Sequence, residues 1–119
     1  MNMEDTPATG FDIHENRRAQ TTVLTPSGSI TFENCTRLRE VLEEAAARAK
    51  PTVILDGRRI VALDSEALEL LVEWHGRLDE AGGSLKLVSL NDTCADILTA
   101  TRLVHVLNVY ADIEHAISG

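Results

Sequence analysis

The feature that most constrains the fold is a short run of apolar and β-branched residues, TVILD at residues 52–56, which lies between a proline and a glycine. Its three central residues are all apolar, whereas a strand with one face in water alternates apolar and polar side chains. A continuous apolar strand is covered on both faces, as in the parallel sheets of α/β proteins. The run therefore predicts an α/β fold in which this strand lies inside the sheet.

Two segments beside this strand have the periodicity of amphipathic helices. The first spans residues 31–50, with Thr31 as the expected N-cap and Pro51 as its stop. The second spans residues 65–81 and ends before two glycines, which favour the left-handed conformation of a helix end. The apolar stripes predicted for these helices are Cys35, Leu38, Leu42, Ala45 and Ala49 in the first, and Leu68, Leu71, Val72, His75 and Leu78 in the second.

The rest of the chain supplies further strands and short helices. Residues 11–16 and 21–30 fit a β-hairpin across a polar loop, and Gly28 marks the turn that follows it. The remaining predicted elements are strands at residues 60–63 and 84–88, a short helix capped by Asn91 or Asp92, and a last helix capped by Asp112. Strands that alternate with helices favour parallel pairing with right-handed crossovers. We therefore expect a mixed sheet of four or five strands with helices packed against it.

The length and charge of the chain exclude several classes of protein. Its 119 residues suit one domain, which we place at residues 11–119 after a flexible tail at residues 1–10. The net charge of -8 argues against binding to nucleic acid or to an anionic membrane, since both need a basic surface. No apolar run reaches the length of a membrane span, and the acidic N-terminus lacks the features of a secretory signal. We expect a cytoplasmic protein without membrane insertion, in which Cys35 and Cys94 are reduced thiols.

The sequence carries no recognisable catalytic or metal-binding motif. Its histidines are scattered and fall in no zinc pattern, and it has no glycine-rich phosphate loop. Ser65 lies outside a nucleophile elbow and has no assigned base, so a hydrolase is disfavoured. We expect a binding protein that has no cofactor, no metal and no enzymatic activity.

Asp56 is the first candidate for a functional side chain, because it ends the buried strand. Ligand sites in parallel sheets lie beyond the carboxyl ends of the strands. The same carboxylate could instead brace the loop that follows, which carries Arg58 and Arg59. The two arginines could pair with Asp56, with an acidic partner or with water, and the sequence leaves these alternatives open.

The joint between the strand at residues 60–63 and the second helix holds only Asp64 and Ser65. Both are among the strongest N-cap residues, each worth roughly 0.5–2 kcal/mol relative to alanine. A single helix start needs only one cap, so one oxygen-bearing side chain is in surplus. A surplus hydroxyl at the positive end of a helix dipole is well placed to carry a phosphate.

The order of these elements resembles the STAS family, whose members include the anti-sigma factor antagonists of bacteria. Asp56 matches the aspartate that ends a strand of the family pattern, and eight positions later Asp64 and Ser65 match its Asp-Ser pair. The Leu-rich helix that ends in a glycine pair matches as well, and so does Gly28 after the early strand. The resemblance covers roughly residues 11–118, and the spacing from Asp56 to Ser65 is its most specific part.

The resemblance implies a single STAS-like α/β domain, with a mixed sheet of four or five strands and helices mainly on one side. It also implies a function in partner switching, because antagonists of this family bind an anti-sigma factor, often a serine kinase, and so free a sigma factor. The kinase phosphorylates the serine of the Asp-Ser pair, the antagonist lets go, and a PP2C-type phosphatase restores it. Ser65 matches this phosphoacceptor, and Asp64 matches its neighbour.

Three residues depart from the family pattern. Glu66 and Ala67 replace the residues that usually follow the Asp-Ser pair, and Arg102 stands where glycine is common. Ala67 favours a helical backbone, and Glu66 places a negative charge beside the acceptor hydroxyl. The alternative function is therefore a STAS accessory subunit that docks on a transporter ATPase of the lipid-trafficking type, or a scaffold unit of a signalling assembly. Neither role needs a phosphate on Ser65.

We expect the partner to contact the start of the second helix and the loop before it. The charged residues around the joint are expected to set the choice of partner and the association rate. The predicted partner-binding residues are Asp56, Arg58, Arg59, Asp64, Glu66 and Glu69, with Ser65 as the phosphoacceptor.

Overall fold

Six strands and four α-helices make up the fold over residues 11–19 and 21–118, which a computed structural model describes. The predicted tail at residues 1–10 lies outside the described residues. The strands are β1 (Asp12–Arg18), β2 (Thr21–Ile30), β3 (Thr52–Asp56), β4 (Ile60–Leu63), β5 (Ser84–Val88) and β6 (Asn108–Tyr110). The helices are α1 (Cys35–Ala46), α2 (Ser65–Glu80), α3 (Asp92–Ala100) and α4 (Ile113–Ser118), and a short 3-10 turn, Leu103–His105, follows α3.

The strands form one mixed sheet in the order β1-β2-β3-β5-β6, and among these strands only β1 is antiparallel to its neighbour. β4 joins the sheet by pairing in parallel with the last residues of β2, beyond a bulge at Gly28. Gly28 has a φ of 114°, which glycine adopts without steric cost, so this residue bends β2 rather than marking a turn after it. The predicted mixed sheet is confirmed, with five strands in its main order and β4 in addition.

Helices α1, α2 and α3 cover one face of the sheet, and the main core lies between them and the strands. β3 is buried on both faces, because Val53 and Leu55 belong to this core and Ile54 belongs to a second cluster. In that cluster Ile54 packs with Val88 and with Ala116 of α4. The run at residues 52–56 is therefore a doubly covered strand, as predicted, and the described helices lie mainly on one side.

α1 begins later than predicted. Its N-cap is Asn34 rather than Thr31. The residues before it form a tight turn, in which the Thr31 carbonyl accepts hydrogen bonds from the backbone of Asn34 and Cys35. The Asn34 side-chain amide donates to the Ser29 carbonyl, which closes the loop between β2 and α1. These loop contacts hold residues 31–33 outside the helix.

α1 also ends earlier than predicted. It stops at Ala46, before the proline that was expected to end it, so Ala49 is exposed and does not belong to the apolar stripe. Lys50 has a left-handed backbone, with a φ of 50°, just before the chain enters β3. The buried residues of α1 are Leu38, Val41, Leu42 and Ala45.

α2 has nearly the predicted length, but its buried face is rotated from the predicted stripe. The buried residues of α2 are Ala67, Leu70, Leu71, Trp74 and Leu78. Leu68, Val72 and His75 from the predicted stripe are half-buried or exposed. The segment is so rich in apolar residues that two overlapping stripes fit its 3.6-residue period. Trp74 carries a large apolar surface, and its burial decides which stripe faces the core.

The predicted hairpin of β1 and β2 is confirmed, with a tighter turn than expected. β1 continues to Arg18, which pairs with Thr21, so Arg17 and Arg18 belong to the strand rather than to the loop. The ladder of paired residues extends back to Asp12.

The predicted end of α2 and the predicted starts of α3 and α4 are confirmed. Gly82, with a φ of 81°, follows the end of α2. Asn91 is the N-cap of α3 and accepts a hydrogen bond from the Cys94 backbone at 2.9 Å. Asp112 accepts one from the His115 backbone at 2.9 Å at the start of α4.

Candidate functional site

Asp64 organises the joint between β4 and α2. Its Oδ1 accepts a hydrogen bond from the Ala67 backbone N–H at 2.9 Å, which makes Asp64 the N-cap of α2. Its Oδ2 accepts from the Phe32 backbone N–H at 2.8 Å, in the loop before α1. The Asp64 backbone N–H donates to the Ile30 carbonyl at 3.2 Å. One residue thus ties together the end of β2 and the segments that start α1 and α2.

Ser65 is the first residue of α2 and is exposed. Because the Asp64 carboxylate provides the cap, the Ser65 hydroxyl is not needed for it. Ala67, the departure from the family pattern two residues later, is helical and fully buried. The site therefore combines a fixed helix start with an exposed hydroxyl at the positive end of the helix dipole.

The surroundings of Ser65 are negatively charged. Asp64 and Glu66 flank it, and Glu66 is exposed. Their charges reach Cys35 at the start of α1, where burial raises the pKa of the thiol and the Asp64 and Glu66 carboxylates raise that pKa further. Arg39 opposes them and lowers the pKa of Cys35. Cys35 and Ser65 therefore lie close to the same two carboxylates.

Two residues of this site were not predicted from the sequence to belong to it. Phe32 is 67% exposed, although it is aromatic, and its backbone is held by Asp64. Cys35, which was assigned only to the apolar stripe, is half-buried and lies near the joint. The sequence did contain a signal that could have placed these two residues at the site. It predicts parallel strands, and the segments that follow neighbouring parallel strands meet at one edge of the sheet.

The loop between β3 and β4 forms a second group of predicted site residues. Asp56 is only 7% exposed and accepts hydrogen bonds from the Arg58 backbone at 3.0 Å and from Arg58 Nη2 at 2.8 Å. Arg59 is exposed, and its carbonyl accepts from the Gly28 backbone at 3.0 Å. Asp56 thus braces its own loop. The four residues of β4 lie between Arg59 and Asp64. Because a strand rises about 3.3 Å per residue, these two residues are more than roughly 10 Å apart along the chain.

Glu69 lies four residues beyond Ser65, beside a shallow apolar hollow on α2. The hollow has a volume of about 370 Å³ and is lined by Leu68, Glu69, Val72, Glu73 and Leu103. Arg102, next to it, has a φ of 65°, in the left-handed region that favours glycine. Arg102 is one of the residues that depart from the family pattern. Its backbone has the conformation that the glycine common at this position would adopt most easily.

Within residues 11–19 and 21–118, no three His, Cys, Asp or Glu side chains come together as metal ligands would. None of the helices in this part of the chain has both the length and the apolar character needed to cross a membrane. Cys35 and Cys94 form no disulfide, and burial raises the pKa of the Cys94 thiol.

Comparison with known protein families agrees with this architecture. The family described as "Mlab, STAS domain" matches residues 13–108. The chain belongs to the STAS family. A search among curated proteins finds no significant match.

Solved structures with the same fold as this STAS domain include anti-sigma factor antagonists. One from Mycobacterium paratuberculosis has a TM-score of 0.82 at 17% identity, over 95% of this chain and 96% of that chain. A STAS domain protein from Planctomyces limnophilus has a TM-score of 0.72 at 22% identity, over 87% and 92% of the two chains. The phosphorylated form of SpoIIAA from Bacillus has a TM-score of 0.68 at 18% identity, over 90% of this chain and 97% of that chain. These similarities show a shared fold.

Proposed function

We propose that this STAS domain is an anti-sigma factor antagonist-like protein-binding module that is switched by phosphorylation of Ser65. The observation that carries the proposal is the division of roles at the joint, where Asp64 caps α2 and Ser65 keeps an exposed hydroxyl. A kinase can modify such a hydroxyl without disrupting the helix start. The structural neighbour SpoIIAA occurs in an unphosphorylated and a phosphorylated form, which supports a switch of this kind.

In this proposal the partner is an anti-sigma factor with serine kinase activity, and a PP2C-type phosphatase reverses the modification. The module acts by binding, without chemistry of its own, and regulates transcription indirectly in the cytoplasm. The net charge of -8 supports a protein partner rather than nucleic acid or an anionic membrane.

The proposed contact surface is centred on the joint. Phe32 offers an exposed aromatic ring, and aromatic residues often anchor protein interfaces. Glu66 and Glu69 add exposed charges that would steer a partner and select it. The loop that Asp56 braces, with Arg58 and Arg59, forms the margin of this surface.

A phosphate on Ser65 would change the charge of this surface rather than the fold. It adds about -1.5 to -2 charges at neutral pH, beside the carboxylates of Asp64 and Glu66. Two unit charges about 5 Å apart repel by ~0.8 kcal/mol in water and ~3 kcal/mol near a protein surface, whereas the helix dipole offsets only ~0.3–1 kcal/mol. A partner that fits the neutral hydroxyl would lose affinity by on the order of a hundredfold.

Two variants of Ser65 test the switch. Ser65→Asp is expected to weaken binding to the anti-sigma factor by about a hundredfold, and Ser65→Ala is expected to retain it. Ser118→Asp adds the same charge at an exposed serine of α4 and is the matched control, which should bind like the unmodified chain. Binding is measured by calorimetry, and the intact mass is measured after incubation with the kinase and ATP. Absence of phosphate on Ser65, together with equal binding by both Ser65 variants, would reject the switch.

A second candidate function is a subunit that docks constitutively, on a transporter ATPase or in a signalling scaffold. The observation that favours it is the pair of carboxylates around Ser65, Asp64 and Glu66, because they oppose a phosphate there.

Glu66→Ser separates the two candidates. If Ser65 is the acceptor, removal of the neighbouring charge should speed its phosphorylation by the kinase, as followed by intact mass over time. Glu69→Gln, one turn further along α2, is the control and should change the rate less. A constitutive subunit would gain no phosphate in either variant.

A further inference from the structure

The face of the sheet opposite α1, α2 and α3 is only partly covered in the described residues. α4 contacts β3, β5 and β6 on this face and reaches Val23 of β2, and in the described residues it covers no more of the hairpin than that end. Ile13 of the hairpin belongs to the main core, so the residues that alternate with it face the other way. The pairs on this outer face are Asp12 with Ser27, His14 with Thr25, Asn16 with Val23, and Arg18 with Thr21.

One end of this outer face is a polar hollow of about 430 Å³. It is lined by Asp12, His14, Thr25, Ser27, Arg58 and Arg59. Arg58 is positioned because its Nε and Nη2 donate to the Asp56 carboxylate. The backbone of Arg59 is positioned by the hydrogen bond from Gly28. Guanidinium groups, hydroxyls and an imidazole around one hollow are the donors that an anionic group needs.

The other end is an apolar groove of about 450 Å³ between the hairpin and α4. It is lined by Asn16, Arg18, Thr21, Val23, Ile54, Ile113 and Ile117. Val23 and Ile113 pack against the cluster that contains Ile54. Ile117 is 69% exposed at the edge of the groove, so a chain bound there would remove its apolar surface from water.

The two hollows adjoin along β2. Thr25 lines the polar hollow and Val23 lines the apolar groove, and these residues are about 7 Å apart on the same face of the strand. From Ser27 to Thr21 the combined trough extends along β2 for roughly 20 Å. Its lining includes three arginines, Arg18 in the apolar groove and Arg58 and Arg59 in the polar hollow, and one carboxylate, Asp12. Arg58 is paired with the Asp56 carboxylate, so Arg59 is the cation of the polar hollow that has no ion pair among the described residues.

We propose that this trough binds a single-chain anionic amphiphile of the fatty-acid class. The anionic head lies among Arg58, Arg59 and His14, where the donors are concentrated. The hydrocarbon chain lies along Val23 and Ile54 toward α4. The site shares Arg58 and Arg59 with the margin of the proposed partner surface, but it does not include Ser65 and does not depend on the proposed switch.

Titration of the full chain with laurate, below the concentration at which micelles form, tests the proposal by ¹H–¹⁵N NMR. Saturable shifts are expected at Val23, Thr25, Ile54 and Ile117. Acetate carries the anionic group without the chain, and dodecyltrimethylammonium carries the chain with the opposite charge. Each should bind at least about tenfold more weakly than laurate.

Two variants and two matched controls locate the ligand. Arg59→Ala and Ile117→Ser should each weaken laurate binding by about tenfold, since each removes contacts at one end of the trough. Arg37→Ala and Val106→Ser alter an exposed arginine and an exposed valine away from the trough, and they should leave binding unchanged. Shifts that do not saturate, equal binding of the cationic amphiphile, or no loss in either trough variant would overturn the proposal.

Sedimentation with phosphatidylglycerol vesicles distinguishes a free amphiphile from a membrane. We expect the chain to bind laurate and to stay in the supernatant whether or not vesicles are added. Pelleting with the vesicles and no saturable binding of laurate would assign this face to a membrane surface instead, and would overturn the proposal. Neither result bears on the Ser65 switch, because these assays measure neither phosphorylation of Ser65 nor binding to the anti-sigma factor.

Discussion

Two aspartates follow or end strands that both pair with β2, and they have opposite roles. Asp64, after β4, gives its two oxygens to backbone donors in separate segments, at Phe32 and Ala67. Asp56, at the end of β3, keeps its oxygens within its own loop, where Arg58 binds them. Asp64 connects distant parts of the chain, whereas Asp56 closes a local turn. The role of a carboxylate beyond a strand thus follows from the donors that the fold brings to it.

The largest expected effect is that of Asp64→Ala. The variant loses the N-cap of α2 and the acceptor for the Phe32 backbone N–H, so the free energy of unfolding should fall by about 2 kcal/mol. Urea unfolding followed by circular dichroism measures this loss. Ser65→Ala is the matched control and should change the free energy of unfolding by less than about 0.5 kcal/mol, because its hydroxyl is not the cap. Equal losses in the two variants would show that Asp64 has no special role.

A smaller effect is expected from Arg58→Ala. The variant leaves the buried Asp56 carboxylate with the backbone N–H of residue 58 as its remaining partner in the loop, so the urea midpoint should fall. The fall should be smaller than that of Asp64→Ala, because Arg58 is largely exposed and its ion pair is screened by water. Arg59→Ala is the control and should leave the midpoint unchanged. A larger fall for Arg59→Ala would mean that the loop is held by a different contact.

The smallest expected effect reports on the charges around the joint. Glu66→Gln removes one of the charges that raise the pKa of Cys35, so more thiolate should form near pH 8 and alkylation by iodoacetamide should be about twofold faster. Glu69→Gln is the control. A phosphate on Ser65 should act in the opposite direction and slow the reaction. Mass spectrometry of the Cys35 peptide gives the rate, and an unchanged rate in Glu66→Gln would show that the Glu66 carboxylate does not act on the Cys35 thiol.

The fold could be predicted from the sequence wherever a local pattern had a single interpretation. The unbroken apolar run at residues 52–56 has no polar face, so its double burial followed directly. The stripe of α2 could not be predicted in the same way, because residues 67–74 are mostly apolar and allow two faces. The burial of Trp74 decides between them, and that depends on packing against the rest of the domain.

The candidate site was predictable only in its local part. Asp64 and Ser65 lie together at a helix start, and a local pattern suffices to place them there. The bond from Phe32 to Asp64 joins residues 32 positions apart, and no local pattern reports a contact at that separation. For Asp56 the sequence left a ligand site and a loop brace as alternatives, and the contacts with Arg58 show the brace.

α4 is attached to the domain by few contacts. Ala116 is its one buried residue, and Lys86 donates to the Ala116 carbonyl at 2.6 Å. A helix of six residues with so little buried area opens at a free energy well below that of global unfolding, so its amide hydrogens exchange with solvent before those of β3. Each local opening uncovers Ile54 and Val88 while the main core stays folded.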